Sequence, residues 1–145
     1  MPVPVTHRSV LMVDDEQLIL DLYASALRFR GFAVHLASDA TTARAICARA
    51  RPDVVCIDGR MITAPGAQPG GNLARQLIDE GARVVIFTND QRLYDHPPVG
   101  VAGRLIKVNT RPPELADRLL EILDGDPEGG ARGRRRPGAS ELAGL

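Results

Sequence analysis

The stretch that decides the fold runs from residue 9 to residue 15 and reads Ser9-Val10-Leu11-Met12-Val13-Asp14-Asp15. Its first part is almost continuously apolar, which is typical of a strand buried on both faces of a parallel sheet. Two carboxylates then end the apolar run abruptly. The stretch therefore predicts a central strand whose carboxyl end carries two acidic side chains.

Beyond this strand, short β-rich apolar runs alternate with longer segments of helical period. Strands are predicted at residues 9–13, 32–36, 54–57, 84–87 and 105–106, and helices at residues 16–30, 39–50, 72–80 and 112–123. Alternation of this kind indicates a parallel sheet, because each helix carries the chain back to the start of the next strand. The pattern predicts an α/β fold with a doubly wound five-stranded parallel sheet.

Local composition refines this outline. The first helix is expected to bury one stripe of side chains at helical spacing. These are Leu18, Leu22, Ala26 and Phe29. Residues 59–71 are rich in Pro and Gly and are predicted to form a loop. The prolines within residues 89–103 leave room for a fourth helix of little more than one turn.

The chain divides into two parts by composition. Residues 1–123 carry all the predicted strands and helices and are expected to form one domain. Residues 124–145 are rich in Gly, Arg and Pro and have too few apolar side chains to form a core. We therefore expect a disordered tail over residues 124–145.

Charge and cysteine content exclude several classes of protein. Lys plus Arg and Asp plus Glu each number 18, so the formal net charge is zero and a polyanion binder that relies on bulk positive charge is disfavoured. No apolar run approaches the ~20 residues that a membrane span needs, and residues 1–8 do not resemble a signal peptide. Cys47 and Cys56 form no CxxC motif, so neither a disulfide framework nor a zinc site is expected. Reduced thiols fit a cytoplasmic protein.

Polar side chains follow four of the predicted strands at the points where these strands end. They are Asp14 and Asp15, Asp58, Thr88, and Lys107, which is the one lysine among the 18 basic residues. In a doubly wound sheet, ligands bind outside the carboxyl ends of the strands. We therefore expect three carboxylates, one hydroxyl and one amine to converge on one edge of the sheet.

The chemistry of such a group points to phosphoryl transfer. Crowded carboxylates repel each other, and a hard divalent cation such as Mg²⁺ removes the conflict through oxygen ligands. One carboxylate can then attack phosphorus to form an acyl phosphate. The metal and a lysine ammonium neutralise the charge that develops on the transferred group.

Four motifs give the chain its resemblance to response regulator receiver domains of two-component signalling. They are Val13-Asp14-Asp15-Glu16, Val55-Cys56-Ile57-Asp58, Ile86-Phe87-Thr88 and Leu105-Ile106-Lys107, and the match covers residues 8–123. Each motif is weak alone, but each closes a predicted strand in the expected order. The resemblance implies a flavodoxin-like sheet with the strand order 2-1-3-4-5.

The resemblance also implies a role for each site residue. Asp58 is the phosphoacceptor, and it binds Mg²⁺ directly together with Asp15. Asp14 binds the metal through water, and the backbone carbonyl of Arg60 is a further metal ligand.

Two more residues would then act on the phosphoryl group. Thr88 is the switch hydroxyl and Lys107 is the amine that pairs with the phosphate. A lysine suits this role because its ammonium is a flexible point charge, whereas a planar guanidinium is a poor substitute.

Among the departures from the family pattern, three concern the segments around the last two predicted strands. Val108 replaces the proline that usually follows the lysine, so a trans peptide bond and a rearranged loop are expected. Asn89 replaces a small residue after the switch threonine. Arg104 replaces the switch aromatic and is expected to face solvent, with Asp90 or Asp95 as partner.

These observations predict a stand-alone receiver, not an enzyme beyond its own phosphoryl transfer and dephosphorylation. A histidine kinase or histidine phosphotransfer protein would phosphorylate Asp58, and output would pass through contacts with an unknown downstream protein. No DNA-binding domain and no membrane partner are expected. One alternative is an interaction module of the same fold that does not depend on phosphorylation, and another is a phosphatase or hydrolase with Asp58 as nucleophile.

Overall fold

A computed structural model describes residues 6–62 and 73–125 of the chain. Its sheet consists of β1 (Ser9–Val13), β2 (Ala33–Ala37), β3 (Val54–Asp58), β4 (Val84–Thr88) and β5 (Gly103–Ile106). Its helices are α1 (Gln17–Phe29), α2 (Ala40–Ala50), α3 (Gly59–Ile62), α4 (Leu73–Asp79), α5 (Gln91–Asp95) and α6 (Pro112–Leu123), with a 3₁₀ turn at Lys107–Asn109.

All five strands are parallel and lie in the order β2-β1-β3-β4-β5. The predicted doubly wound, flavodoxin-like sheet is therefore confirmed. Every strand was predicted to within one or two residues, because continuous runs of β-branched and apolar side chains mark buried parallel strands clearly.

Successive side chains of the central strands enter two separate hydrophobic cores, one on each face of the sheet. On one face, Leu11 and Ile57 pack with residues of α2, α3 and α4. On the other, Met12 and Phe87 pack with residues of α1 and α6. Since both faces are covered, the polar residues of the central strands can reach water only at the strand ends.

The predicted buried stripe of α1 was wrong. Leu18 and Phe29 are 84% and 73% exposed, Leu22 is also exposed and Ala26 is only partly buried. The buried side chains are Leu20, Tyr23, Ala24 and Leu27. The helix carries two apolar stripes, and helical periodicity does not tell which one faces the sheet.

Tyr23 shows why the second stripe is the buried one. Its ring meets the ring of Phe87 edge to face, with centroids 5.1 Å apart. Its hydroxyl donates a hydrogen bond to the backbone carbonyl of Thr110 at 2.7 Å. The aromatic contact and the satisfied hydroxyl together fix the rotation of α1 against the sheet.

The segment after β3 also differs from its prediction as a loop. Gly59–Ile62 forms one helical turn, α3, in which Met61 and Ile62 are buried. Burial of this apolar pair favours a helical turn at the start of the segment, although the composition of the whole segment predicts a loop. Residues 63–72 lie outside the described part of the chain.

The short fourth helix was predicted correctly, as α5 covers only Gln91–Asp95. Asp90 caps it by accepting hydrogen bonds from the backbone N–H groups of Arg92 and Leu93. In the part of the chain that the structure describes, no helix has the length and apolar character needed to cross a membrane.

The predicted tail begins with two ordered positions. The N–H of Asp124 bonds to the carbonyl of Leu120, and its carboxylate accepts a hydrogen bond from Arg8 at 2.9 Å. The N–H of Gly125 bonds to the carbonyl of Ile122. The remainder of the predicted tail, residues 126–145, lies outside the described residues.

Candidate functional site

The order of the strands brings the predicted site residues together. β1 and β3 are neighbours, with Val13 paired to Ile57, so Asp14 and Asp58 leave the sheet side by side. On the other side of β3, Thr88 at the end of β4 pairs with Ile106, the residue before Lys107. All four side chains therefore gather at one edge.

Three carboxylates form the acidic part of this site. Oxygens of Asp14, Asp15 and Asp58 all lie within 4.8 Å of one another. The side chains of Asp14 and Asp58 are only 1% and 5% exposed, whereas Asp15 is half-exposed. Water screens the two buried carboxylates poorly, so they need positive partners from the protein or from solution.

Lys107 supplies the first positive partner. Its Nζ lies 2.8 Å from Asp14 Oδ2 and 2.6 Å from Asp58 Oδ1, and its side chain is 12% exposed. Burial lowers the pKa of Lys107, but the hydrogen bonds that its ammonium donates to the two carboxylates outweigh this and raise the pKa above its usual value. The amine is thus held charged between the two buried acids.

Asp14 is the most buried acid of the group. Burial raises the pKa of this carboxyl, although hydrogen bonds from Lys107 and from the backbone N–H of Glu16 oppose the effect. The bond from Glu16 measures 2.9 Å and ties the carboxylate to the start of α1. Asp14 therefore has a fixed orientation toward Lys107 and Asp58.

The side chain of Arg60 supplies a second positive partner, which sequence reasoning missed. Its Nε lies 3.2 Å from Asp58 Oδ2, and its Nη2 lies 2.8 Å from Asp15 Oδ1 and 3.3 Å from Glu16 Oε1. The resemblance had drawn attention only to the backbone carbonyl of this residue. The sequence signal for this contact is an arginine two residues after Asp58. The turn α3 folds the side chain of this arginine back over the acids.

The donor set fits a hard divalent cation. Four carboxylates, from Asp14, Asp15, Glu16 and Asp58, face the two cationic side chains Lys107 and Arg60, which leaves a formal excess of two negative charges. Carboxylate oxygens are the ligands that Mg²⁺ prefers, and this ion commonly uses one or two of them together with phosphate oxygens. The excess charge matches that of one divalent ion.

Thr88 lies beside these residues in an open cleft of about 520 Å³ that Asp58, Arg60 and Lys107 also line. Its side chain is buried, and its Oγ1 accepts a hydrogen bond from the N–H of Asp90 at 3.0 Å. The hydroxyl is thus held by the loop that leads into α5.

Gly59 is packed tightly against Thr88. A methyl group at residue 59 would lie 2.5 Å from Thr88 Oγ1 and 2.6 Å from Leu93 Cδ2, both closer than atoms can approach. We expect Gly59→Ala to lower the free energy of unfolding by about 1–3 kcal/mol, since the neighbours must shift to admit the methyl group. Urea unfolding measures the loss.

A double-mutant cycle with Leu93→Ala provides the control for this prediction. Shortening Leu93 removes one of the two clashing groups, so Gly59→Ala should cost less in that background. Equal costs in both backgrounds would contradict the packing argument.

Two of the departures from the family pattern compensate each other. The N–H of Val108, which a proline would lack, donates a hydrogen bond to Asn89 Oδ1 at 2.9 Å. The bond joins the loop after β4 to the 3₁₀ turn after β5. None of the described peptide bonds is cis, so the predicted trans bond between Lys107 and Val108 is confirmed.

We expect Asn89→Ala to lower the free energy of unfolding by about 1 kcal/mol, because it removes the oxygen that accepts this hydrogen bond. In a Val108→Pro background the donor is already gone, so the same change should have almost no effect. Chemical denaturation of the four proteins measures both costs, and equal costs in the two backgrounds would show that the bond contributes nothing.

Arg104 is exposed, as predicted, but its expected acidic partner was wrong. Its guanidinium lies over the ring of Tyr94, 5.0 Å from the centroid, and donates a hydrogen bond to the carbonyl of the same residue at 3.0 Å. Asp90 and Asp95 are instead engaged in hydrogen bonds within the α5 segment. The aromatic ring near this position is therefore supplied by α5 and not by β5.

Comparison with known proteins agrees with this geometry. A family model described as the response regulator receiver domain matches residues 10–105. The chain is 44% identical over 55 residues to a protein of Mycobacterium tuberculosis named "Probable transcriptional regulatory protein TcrX". The match covers 38% of this chain and only 22% of the length of that curated relative.

Solved structures show the same likeness over most of the chain. The signal receiver domain of NarL from Mycobacterium tuberculosis is 25% identical and superposes with a TM-score of 0.68, over 84% of this chain and 99% of that one. The BeF3-activated N-terminal receiver domain of RstA from Klebsiella pneumoniae is also 25% identical, with a TM-score of 0.65 over 79% and 97% of the two chains.

Proposed function

Since the chain belongs to the response regulator receiver domain family, we propose that it serves as a phosphoacceptor in two-component signalling and that Asp58 is the acceptor residue. One observation carries the choice of residue. Among the three clustered acids, Asp58 is the one that lines the cleft and whose oxygens lie within 3.2 Å of both Lys107 and Arg60. An incoming phosphoryl group would meet this carboxylate next to the ammonium of Lys107.

The proposed reaction is an in-line transfer from a phosphohistidine. A carboxylate oxygen of Asp58 attacks phosphorus, the P–O bond forms as the P–N bond breaks, and the leaving imidazole nitrogen regains its electron pair. Lys107 stays within reach of Asp58 throughout and balances the negative charge on the phosphoryl oxygens. Thr88, on the neighbouring strand, can donate its hydroxyl to one of those oxygens.

We propose that the acids also hold Mg²⁺. Asp15 and Asp58 would bind it directly, Asp14 through water, and the backbone carbonyl of Arg60 would complete the protein ligands. When bound, the ion would shield the carboxylates from the phosphoryl group and neutralise part of its charge. The clustering of the three carboxylates within 4.8 Å supports this assignment.

The partners follow from the proposed chemistry. A histidine kinase or a histidine phosphotransfer protein would donate the phosphoryl group in the cytoplasm. We propose that output passes through contacts between the receiver and a downstream protein. The name of TcrX connects one relative of this chain with transcriptional regulation.

The test is incubation of the protein with a small-molecule phosphodonor and Mg²⁺, followed by intact mass measurement. We expect a mass gain of one phosphoryl group that disappears when EDTA replaces the metal. Loss of the adduct in alkali would agree with an acyl phosphate. A protein that takes up no phosphoryl group under any of these conditions would contradict the proposal.

A further inference from the structure

The guanidinium of Arg60 lies against the carboxylates of the acidic site and brings a second positive charge to it. Its Nε contacts Asp58 Oδ2, and its Nη2 contacts Asp15 Oδ1 and Glu16 Oε1 within 3.3 Å. The residue belongs to α3, the turn that follows β3 without a linker, so its backbone is fixed next to Asp58. The long side chain then reaches across to the start of α1.

The two cationic side chains of the site divide the carboxylate oxygens between them. Lys107 contacts Asp14 Oδ2 and Asp58 Oδ1. Arg60 contacts the other oxygen of Asp58, Oδ2, together with an oxygen of Asp15. Both oxygens of Asp58 thus already face a cationic group, so a metal ion that binds Asp58 directly must compete with Lys107 or with Arg60. Direct binding to Asp15 would place the metal beside the oxygen that Arg60 contacts.

Arg60 and Lys107 differ in how easily they can leave. The side chain of Lys107 is 12% exposed and is held against two buried acids. The side chain of Arg60 is 60% exposed, and ion pairs of such exposed groups are individually weak. Of the two, Arg60 is the one that an arriving metal ion can displace into solvent.

We propose that Arg60 is a tethered counter-ion that competes with the divalent cation for Asp15 and Asp58. This inference rests on the metal site included in the proposed function. Without metal, the guanidinium neutralises the acids and stabilises the fold. With metal, it must give up these contacts, so the same residue weakens metal binding.

Because the two equilibria are linked, one substitution of Arg60 should have opposite effects on metal affinity and on stability without metal. Arg60→Gln removes the competitor, and we expect it to lower the dissociation constant for Mg²⁺ by about fivefold to tenfold. The same substitution should lower the melting temperature in EDTA, because the acids lose a counter-ion. In saturating Mg²⁺ the variant should melt at or above the temperature of the wild type.

Isothermal titration with MgCl₂ and thermal unfolding with and without Mg²⁺ measure these effects. Arg49→Gln is the matched control, since Arg49 is exposed on α2 near the start of β3, at the opposite edge of the sheet. It removes the same charge and should leave both the affinity and the metal-dependent stabilisation unchanged.

A second variant separates contact from long-range charge. Arg60→Lys keeps the positive charge but has a single compact donor group. This group cannot contact Asp15, Glu16 and Asp58 at the same time, as the guanidinium does. We expect its Mg²⁺ affinity to lie between those of the wild type and Arg60→Gln. A value equal to the wild type would show that only the charge matters and would overturn the proposed competition.

The remaining outcomes distinguish this inference from the proposed function. If all variants bind Mg²⁺ with the affinity of the wild type, the role of Arg60 is wrong while the metal site stands. If neither the wild type nor Arg60→Gln binds Mg²⁺, the metal site itself is wrong.

Discussion

Asp58→Asn is expected to abolish phosphoryl uptake completely. An amide has almost the same size and shape as a carboxylate, but its oxygen is a far weaker nucleophile and gives no stable acyl phosphate. Incubation with a small phosphodonor and Mg²⁺ should leave the intact mass of this variant unchanged, whereas the wild type gains one phosphoryl group.

Asp15→Asn is the matched control for this experiment. It removes an equivalent carboxylate from the same cluster, in which the oxygens of the three acids lie within 4.8 Å. We expect this variant to keep the acceptor and to need a higher Mg²⁺ concentration for the same extent of labelling. Labelling of Asp58→Asn to the wild-type level would show that the acceptor lies elsewhere.

Lys107→Met is expected to have the largest effect on stability. Methionine fills a similar volume but leaves Asp14 and Asp58, both almost fully buried, without the cation that bonds to each of them. Removing one partner of a buried ion pair costs about 3–5 kcal/mol, and contact of Asp58 with the open cleft places this loss near the lower end, about 3 kcal/mol. Urea unfolding in EDTA measures the change.

The same substitution should slow phosphoryl uptake about 100-fold, because a fixed positive charge beside the transferred group is lost. Lys107→Arg keeps the charge and is expected to lose less stability, although its planar group cannot reproduce both contacts of the ammonium. A Lys107→Met protein as stable as the wild type in EDTA would contradict the stabilising role of these ion pairs.

Strand positions and strand-end residues could be predicted because short-range signals determine them. The apolar run of β1 and the acids that follow it fix both the strand and the place where its polar side chains emerge. The parallel order then gathers Asp14, Asp58 and Lys107 whatever the details of the helices. This part of the site depends on topology, which the alternating pattern already indicates.

Features that depend on side-chain packing could not be predicted in this way. The two apolar stripes of α1 have the same period, and the choice between them is made by the contact of Tyr23 with Phe87. The helical turn α3 arises because Met61 and Ile62 are drawn into the core. Such choices depend on the shape of the surrounding core and not on local sequence.

The polar contacts of Arg60 and Asn89 illustrate a second reason. Arg60 reaches Asp15, a residue 45 positions away, and Asn89 reaches Val108, 19 positions away. A departure from a family pattern signals that a position has changed, but it does not reveal the distant atom that now bonds to it. The pairing of the Val108 N–H with Asn89 became visible only once both loops were placed.

Lys107 is the only lysine in the sequence, and it lies in the middle of the site. Amine-directed reagents, such as activated esters, therefore have a single side-chain target in this protein. That target is almost covered and is charged through its contacts with Asp14 and Asp58, so acylation must wait for those contacts to open. The rate of acylation at Lys107 therefore reports how often its contacts with Asp14 and Asp58 open, and no residue has to be substituted to measure it.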